Sequence, residues 1–291
     1  MKHSVKQITV IGVGLIGGSF ALALKANGCT ATVVGYGRSE ESLKKGVALG
    51  VIDRYETSIE AAINGSDLIL LSVPVGTIKE ILPQLKSAIQ AGAVVTDVGS
   101  TKGSVVDAVI ELFGEVPPRF IPGHPIAGTE KSGVEAAFPE LFNDRRIILT
   151  PLKNSDPEAL TMVHHLWALT GAEVSEMSVE RHDNVLAATS HLPHVLAFTL
   201  VDTLANLDEH DDIFRYAAGG FRDFTRIASS DPQMWHDICL NNRDALLTII
   251  ERFQSDLQGL TSAILEGDSE AISKKFESAK AERDAYCDGN C

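Results

Sequence analysis

The chain has 291 residues, of which 44% are apolar and 22% charged, an ordinary composition for a globular protein with about two domains. Lys and Arg together number 25 and Asp and Glu 39, so the formal net charge is −14. This acidic balance argues against nucleic-acid binding, which usually requires a basic patch, but it permits an anionic small ligand in a locally positive cleft.

Cysteine usage and hydropathy indicate a soluble, cytoplasmic protein. Cys29, Cys239, Cys287 and Cys291 show no CxxC spacing, so neither a disulfide framework nor a zinc site is predicted. The apolar stretch Ile8–Leu24 has the composition of a signal peptide or a membrane span. However, four glycines and a serine interrupt it, and no small-residue cleavage site follows. We therefore expect no membrane association.

The first half of the chain alternates β-rich runs with helical patterns. The predicted strands are Ile8–Val13, Ala31–Tyr36, Leu68–Val73, Val94–Val98, Phe120–Pro122, Ile147–Thr150 and Ala172–Met177. The predicted helices between them are Gly18–Ala26, Glu40–Leu49, Thr77–Ala88 and Gly103–Leu112. This alternation is typical of an α/β domain whose doubly wound parallel sheet is covered by helices on both faces.

From about Val179 onward, only helical patterns are found. A long apolar helix is predicted over Glu180–Leu207, with a kink at Pro193 because proline cannot donate a helical hydrogen bond. After a loop rich in Gly, Asp and Arg, helical spacing resumes over Pro232–Leu265, and a charged helix covers Ser269–Tyr286. The second half of the chain is therefore predicted to be all-α.

Apolar residues in the Pro232–Leu265 segment step by four and three, as in a coiled-coil seam. They are Leu246, Ile250, Phe253, Leu257, Leu260 and Ile264. The seam packs either against the chain's own helices or against a second copy. We favour a homodimer, because so many helices lack a sheet to cover. The expected domains are residues 1–178, with the α/β fold, and residues 179–291, a helical dimerisation domain.

The first strand leads into the motif GVGLIG at 12–17, where a helix begins. GxGxxG alone is a weak signal and fits a tight turn, but its strand–turn–helix context is typical of a dinucleotide site in a Rossmann-type domain. Gly12 allows the turn, Gly14 lets the backbone approach a pyrophosphate, and Gly17 lets helix and strand pack closely. The helix N-terminus at Leu15 and Ile16 offers N–H groups to the phosphates.

The end of the second strand bears on which cofactor is bound. An acid about twenty residues after the glycine loop normally binds the ribose 2′-hydroxyl, but this position holds Gly37. Arg38 and Ser39 follow and suit a 2′-phosphate, so we favour NADP over NAD. Alternatively, Arg38 is a solvated loop cation and either cofactor is accepted. Ser72 and Pro74, after the next buried strand, are expected to line the same cofactor site, because ligands bind at the carboxyl ends of such strands.

Histidines in two segments are candidates for chemistry. His124 lies in GHPIAGTEKSG at 123–133, directly after a strand, and is a candidate base because histidine titrates near neutrality. His191 and His194, three apart in the long helix, resemble metal ligands or satisfied core histidines. No Cys, Asp or Glu stands beside them at a helpful helical spacing, so we predict no metal site.

A third polar segment, GGFRDFTRIA at 219–228, carries two arginines. Arg222 and Arg226 lie four apart, on one face if the segment is helical, with Asp223 between them. A guanidinium near a cleft suits a carboxylate substrate, which it can bind bidentately. Alternatively, one of the arginines forms a structural pair with Asp223.

Together these segments resemble the prephenate/arogenate (cyclohexadienyl) dehydrogenase family of tyrosine biosynthesis. The resemblance covers essentially the whole chain, in order. The matching motifs are GVGLIGGS at 12–19, TDVGSTKG at 96–103, PGHPIAGTEKSGVEAA at 122–137, ATSHLPH at 188–194 and GGFRDFTRIASSDPQMW at 219–235. The missing acid at Gly37 departs from many relatives and puts strict use of NAD in doubt.

The resemblance implies roles for individual residues. His124 would accept the proton of the substrate's ring 4-hydroxyl while hydride leaves for the nicotinamide, and Ser100 would orient that hydroxyl. Arg226 would bind a substrate carboxylate, and His194 would line the same pocket.

Two further residues, Thr129 and Glu130, would shape or gate that pocket. Loss of hydride from C4 of prephenate or arogenate lets the ring carboxylate depart as CO2, giving 4-hydroxyphenylpyruvate or tyrosine. The resemblance therefore implies a homodimeric oxidoreductase with NADP or NAD as cofactor and no metal.

The same chain organisation also occurs in two other classes of protein. β-Hydroxyacid and imine reductases share this layout, but they typically place a lysine or aspartate on the long helix, where this chain has histidines. A non-catalytic NADP sensor would not need His124, Ser100 and Arg226 together. Both interpretations are therefore less favoured than the dehydrogenase.

Overall fold

The computed structural model describes residues 5–129 and 131–290, and for 288–290 the backbone alone. The strands in this part of the chain are Gln7–Ile11 (β1), Thr32–Tyr36 (β2), Arg54–Tyr55 (β3), Leu68–Leu71 (β4), Val94–Asp97 (β5), Phe120–Ile121 (β6), Gly123–Pro125 (β7), Arg146–Leu149 (β8) and Glu173–Glu176 (β9).

The helices follow the same numbering in chain order. They are Leu15–Ala26 (α1), Glu40–Ala48 (α2), Ile59–Ile63 (α3), Val75–Ala88 (α4), Gly103–Phe113 (α5), Pro157–Leu169 (α6), Val179–Leu186 (α7), Leu192–Ala205 (α8), His210–Arg215 (α9), Gly219–Thr225 (α10), Pro232–Asn241 (α11), Arg243–Glu266 (α12) and Ser269–Asn290 (α13).

The first six strands form one parallel sheet in the order β3-β2-β1-β4-β5-β6. Its central strands β4 and β5 are buried along their whole length, because apolar side chains on both faces are covered by helices. The order reverses between β1 and β4. Ligands of open α/β sheets bind at such a switch point, outside the carboxyl ends of the strands. The predicted Rossmann-type domain is confirmed.

A second sheet corrects the prediction of a single parallel sheet. β7, β8 and β9 form their own three-stranded sheet, in which β7 runs antiparallel to β8. Only Pro122 separates β6 from β7, so no crossover helix can return the chain to the edge of the first sheet. His124 therefore lies within a short strand, paired with Ile148, rather than at the end of a parallel strand.

Several elements were missed by the sequence analysis. Besides the short β3 and α3, these include α6, whose start carries a clear signal: Asp156 accepts hydrogen bonds from two first-turn N–H groups, and Pro157 occupies the first turn. The segment predicted as a loop before Pro232 contains two short helices, α9 and α10, and a 3₁₀ turn over Arg226–Ser229.

The long helix is interrupted just before Pro193. Residues Ala187–His191 between α7 and α8 are π-helical. Proline lacks an N–H group and its ring clashes with the carbonyl four residues earlier, and a wider turn accommodates both constraints. The stretch Val179–Ala205 is long and apolar enough to cross a membrane by length and composition, a test that core helices of soluble proteins also pass. Its first turns carry buried His182 and the partly exposed Asp183.

Compactness divides the chain into a unit ending at Arg243 and a unit beginning at Asp244. The last strand ends earlier, at Glu176, but α7 packs on α5 and α11 packs on α4, so these helices belong to the first unit. In the second unit, Lys275 Nζ donates to the carbonyl of Asp256 at 2.8 Å, which joins α12 and α13. The functional boundary at residue 178 stays a prediction.

We expect the glycines of the loop to differ in their effect on stability. A Cβ at Gly17 would lie 2.6 Å from the Gly12 carbonyl oxygen, whereas a Cβ at Gly14 would meet nothing within 4 Å. Gly17→Ala should lower the free energy of unfolding by about 1–3 kcal/mol, the usual cost of overpacking. Gly14→Ala should stay within about 0.5 kcal/mol of wild type. Urea unfolding of the cofactor-free protein measures both, and equal midpoints would contradict the packing argument.

Candidate active site

The glycine loop lies between the ends of β1 and β4. Gly12 has a φ of +97°, and a Cβ there would lie 2.1 Å from the Ser72 carbonyl oxygen, so only glycine fits. Its N–H donates to the Tyr36 carbonyl at 2.8 Å, which fixes the loop against β2. The structure thus brings Gly12 and Ser72 together at the switch point. Pro74, two residues after Ser72, is the N-cap residue of α4.

The N-terminus of α1 fits a pyrophosphate group. Gly14 is its N-cap residue, no acidic residue occupies the first turn, and no atom lies within 4 Å of a Cβ built on Gly14. The first-turn N–H groups, including those of Leu15, Ile16 and Gly17, have no intrahelical acceptor, and the helix dipole is positive at this end. A dinucleotide phosphate can therefore approach the backbone closely.

Beyond the end of β2, position 37 has no carboxylate, and the two residues after it, Arg38 and Ser39, carry hydrogen-bond donors. Arg38 is exposed, and the Ser39 hydroxyl oxygen accepts the Ser42 N–H at 3.2 Å while capping α2, which leaves its hydrogen to donate elsewhere. A Cβ at Gly37 would be 3.7 Å from Leu43 Cδ2, an ordinary contact. An acid at this position would thus be sterically acceptable, so the glycine is not required by packing.

A fully buried ion pair fixes the end of β5. Lys102 Nζ donates to Asp97 Oδ2 and, at 2.6 Å, to the Gly123 carbonyl, and both charged side chains have 0% exposure. Asp97 also accepts the N–H groups of Gly99 at 2.8 Å and Gly123 at 3.2 Å. The pair therefore holds β7, which carries His124, against the first sheet.

His124 is the first of three side chains in a hydrogen-bonded row. Its Nδ1 lies 2.8 Å from His182 Nε2, and His182 Nδ1 lies 2.7 Å from Asp183 Oδ1. Asp183 also accepts the backbone N–H groups of Lys102 at 2.8 Å and Gly103 at 2.7 Å, at the start of α5. His124 and His182 are buried, and Asp183 is largely so.

Burial lowers the pKa of His124 well below its ordinary value of 6.5, and the nearby His182, Lys102 and His191 act in the same direction. Burial alone would raise the pKa of Asp183, but hydrogen bonds from His182 and from two backbone N–H groups outweigh this effect and lower it. At neutral pH the row therefore has an uncharged His124 at one end and an ionised Asp183 at the other.

A second cluster surrounds His191 and His194. The Asn242 side-chain amide donates to the Asp183 carbonyl at 2.9 Å and lies 3.0 Å from His191 Nδ1, whose pKa burial lowers to about 4. The His194 ring stacks on Trp235 with centroids 3.6 Å apart, and its Nδ1 bonds the Ser190 carbonyl. The described residues contain no group of three or more His, Cys, Asp or Glu side chains suited to a metal ion.

The remaining predicted site residues are placed as follows. Ser100 is partly buried in the turn between β5 and α5. Burial lowers the pKa of His194, and the positive charge of Arg226 acts in the same direction. α8, which carries His194, packs on the 3₁₀ turn that begins at Arg226. Thr129 is exposed, accepts the Lys131 N–H at 3.2 Å and lines a cavity of about 290 Å³. Glu130 lies outside the described residues.

Sequence reasoning missed His182, Asp183, Asn242 and the Lys102–Asp97 pair. An adjacent His–Asp pair in the first turns of a helix that follows the last strand was a usable signal, since neither residue type is usual in an apolar helix. Asn242 carried no signal, because only tertiary packing brings it to Asp183.

A phosphate cradle at the switch point of a doubly wound sheet, followed by a helical region and a buried uncharged histidine, defines the class of two-domain dinucleotide-dependent dehydrogenases. The family described as "Prephenate dehydrogenase, nucleotide-binding domain" matches residues 20–176. "Prephenate dehydrogenase, dimerization domain" matches residues 178–278. The chain belongs to the prephenate dehydrogenase family.

Individual relatives match over nearly the whole chain. Cyclohexadienyl dehydrogenase of Zymomonas mobilis is 40% identical over 95% of this chain and 94% of its own length. Prephenate dehydrogenase of A. aeolicus, in complex with hydroxyphenyl propionate and NAD+, has a TM-score of 0.91 at 40% identity, covering 98% of this chain and 100% of its own. Arogenate dehydrogenase of Synechocystis has a TM-score of 0.82 at 27% identity, covering 96% and 99%.

The buried ion pair generates a stability prediction. Lys102→Met leaves Asp97 charged and buried, and should lower the free energy of unfolding by about 3–5 kcal/mol. The double variant Lys102→Met/Asp97→Asn should recover part of this loss. In the exposed pair Lys79–Glu111, Lys79→Met serves as the control and should change stability by no more than about 1 kcal/mol. Denaturant unfolding measures all three, and a loss for Lys102→Met no larger than for the control would contradict the prediction.

Proposed function

We propose that this chain catalyses the oxidative decarboxylation of prephenate, arogenate or both, giving 4-hydroxyphenylpyruvate or tyrosine in tyrosine biosynthesis. The observation that carries the proposal is the buried His124, whose Nδ1 lies 2.8 Å from His182 Nε2, which leaves its other ring nitrogen, Nε2, for the substrate. Family membership supports the reaction, and the names of the relatives support both substrates.

A nicotinamide dinucleotide, when bound on the glycine loop, supplies the hydride acceptor. His124 Nε2 accepts the proton of the ring 4-hydroxyl as C4 is oxidised, and Ser100 orients that hydroxyl. The C–CO2 bond then breaks, its electron pair enters the ring, and the ring becomes aromatic. His124 then returns the proton to the phenolic oxygen, so the proton taken from the 4-hydroxyl is not released to solvent. A positioned base of this kind contributes about 10²–10⁴-fold to the rate.

The substrate's carboxylates are assigned to the helical region. Arg226 binds one of them bidentately, and His194, stacked on Trp235, lines the same pocket. The buried Trp235 Nε1 has no acceptor within the described structure, so it offers a further donor to a substrate oxygen. Thr129 and Glu130 shape or gate the same pocket.

The cofactor we propose is NADP, with NAD as the alternative. The glycine at position 37 removes the carboxylate that would repel a 2′-phosphate, and the exposed Arg38 with the Ser39 hydroxyl can bind that phosphate. The A. aeolicus relative was solved with NAD+, which supports NAD as the alternative. We assign the preference of this chain to position 37 and its neighbours.

We further propose that the enzyme acts as a homodimer in the cytoplasm, with a dinucleotide-binding domain over 1–178 and a substrate-binding and dimerisation domain over 179–291. The dimerization-domain match supports the dimer. Burial supports it as well, because most of the apolar part of Val179–Ala205 is not buried within one chain. Along the α12 seam, Leu257 and Ile264 are 50% and 61% exposed. A second copy would cover such surfaces.

The proposal predicts initial-rate reduction of NADP or NAD with prephenate, arogenate or both. His124→Asn should lower kcat by about 10²–10⁴-fold while cofactor affinity is retained. The acid limb of kcat/KM should lie below pH 6.5, because burial lowers the pKa of His124 and the base must be unprotonated. His165→Gln, on the exposed face of α6, is the control. Folded dimer without turnover on either substrate would refute the proposed function.

Cofactor choice is tested at position 37. Gly37→Asp fits sterically, and its carboxylate should accept a hydrogen bond from the NAD ribose and repel the 2′-phosphate of NADP. We expect the kcat/KM ratio of NAD to NADP to rise about tenfold or more, the size of one charge-assisted hydrogen bond. Ser87→Asp adds the same charge at a distant exposed site and should leave the ratio unchanged. A wild-type preference for NAD would contradict the role given to Arg38.

A further inference from the structure

We infer that His182 and Asp183 are positioning residues that set the tautomer of His124 and take up the positive charge that forms on it during turnover. This inference rests on the proposed function of His124 as the base. It depends on the row His124–His182–Asp183, whose two contacts measure 2.8 and 2.7 Å.

The direction of the hydrogen bonds follows from Asp183. Its carboxylate already accepts the N–H groups of Lys102 and Gly103, and an ionised carboxylate can only accept. His182 Nδ1 must therefore carry a hydrogen and donate it. In the uncharged ring, His182 Nε2 is then an acceptor, and the hydrogen between the two histidines belongs to His124 Nδ1. His124 Nε2 is consequently the free acceptor that a base requires.

The opposite arrangement would be inactive. If His182 donated from Nε2, His124 would accept at Nδ1 and carry its hydrogen on Nε2, where it could not take a proton from a substrate hydroxyl. While His182 is uncharged, that arrangement leaves its Nδ1 without a hydrogen and therefore needs a proton on Asp183, whose pKa is lowered by its three donors. The carboxylate thus selects the productive tautomer two side chains away, as in other catalytic rows in which an acid orients a histidine.

The charged groups around His124 determine where a positive charge on the row can be stabilised. Lys102, just before α5, is positive but paired with Asp97 on β5, and His191 on the π-helical segment is uncharged at neutral pH. Asp183 is the ionised carboxylate in hydrogen-bonded line with the row. Among the described residues, a proton held on the buried His124 therefore has no counterion in direct contact.

A proton shift along the row moves the positive charge from His124 to His182, where the Asp183 carboxylate is in contact. The substrate O–H bond breaks as a proton bonds to His124 Nε2, and the hydrogen on His124 Nδ1 moves to His182 Nε2. His182 becomes the imidazolium, in contact with the Asp183 carboxylate. When the phenolic oxygen takes its proton back from His124 Nε2, the hydrogen on His182 Nε2 returns to His124 Nδ1.

The row is also fixed in place from both sides. The start of α5 has no side-chain cap and no acid in its first turn, so Asp183 supplies the acceptor for two of its backbone N–H groups. The Asn242 amide donates to the Asp183 backbone carbonyl. The helix that carries His182 is thus fixed in position relative to β7, the strand that carries His124.

Two variants separate orientation from proton transfer. His182→Leu removes the acceptor, whereas His182→Gln keeps an amide oxygen that accepts from His124 Nδ1–H but cannot take up a proton. We expect kcat to fall about 10²-fold or more in His182→Leu and less in His182→Gln, with KM and cofactor affinity within about twofold of wild type in both. His165→Gln should match wild type. An unchanged kcat in His182→Leu would overturn the inference, and full recovery of kcat in His182→Gln would overturn the proton transfer to His182.

A spectroscopic readout tests the relay without turnover. In long-range ¹H–¹⁵N spectra of the cofactor-free protein at neutral pH, His124 of wild type and His182→Gln should show the Nδ1–H tautomer. His182→Leu should lose this preference, because no partner favours it. A wild-type His124 with its hydrogen on Nε2 would overturn the relay. If wild type shows the expected tautomer but oxidises neither substrate, the proposed function fails while the assignment of His182 stands.

Discussion

The buried contact between Lys102 and Asp97 is the constraint on which the active site depends. The pair lies where β5 ends and binds both the N–H and the carbonyl of Gly123, the residue before His124. Two opposite charges without solvent exposure are stable only if nearly every polar atom is satisfied, and here backbone groups complete the set. β7, which carries His124, is therefore held to the six-stranded sheet by electrostatics rather than by a long run of hydrogen bonds between strands.

A second tie comes from the helical region. Asp183 lies on α7, and its carboxylate accepts the N–H groups at the start of α5. The same carboxylate accepts a hydrogen bond from His182, so it supports both the sheet domain and the His182–His124 row. Lys102 takes part in both ties, through its side chain to Asp97 and through its N–H to Asp183. Structural support and the proposed chemistry therefore depend on the same residues.

The predictions from sequence succeeded where a pattern is local. The glycine loop, the alternating elements and the all-helical second half were confirmed, because glycine conformation and hydrophobic periodicity act within a few residues. The second sheet was missed because β7 is three residues long and its partner β8 lies more than twenty residues away. The roles given to Ser100, Arg226 and Thr129 stay predictions, as does the boundary at residue 178.

The sequence by itself determined the phosphate cradle at Gly12 and Gly14, the candidate base His124 and, by resemblance, the family. Only the tertiary structure decided which residues hydrogen-bond to that histidine, namely His182 and, through it, Asp183. His124 and His182 are 58 positions apart, and Asn242 is 59 positions from Asp183. Contacts across such separations leave no local periodicity, so the tautomer and charge of the base are properties of packing and not of a motif.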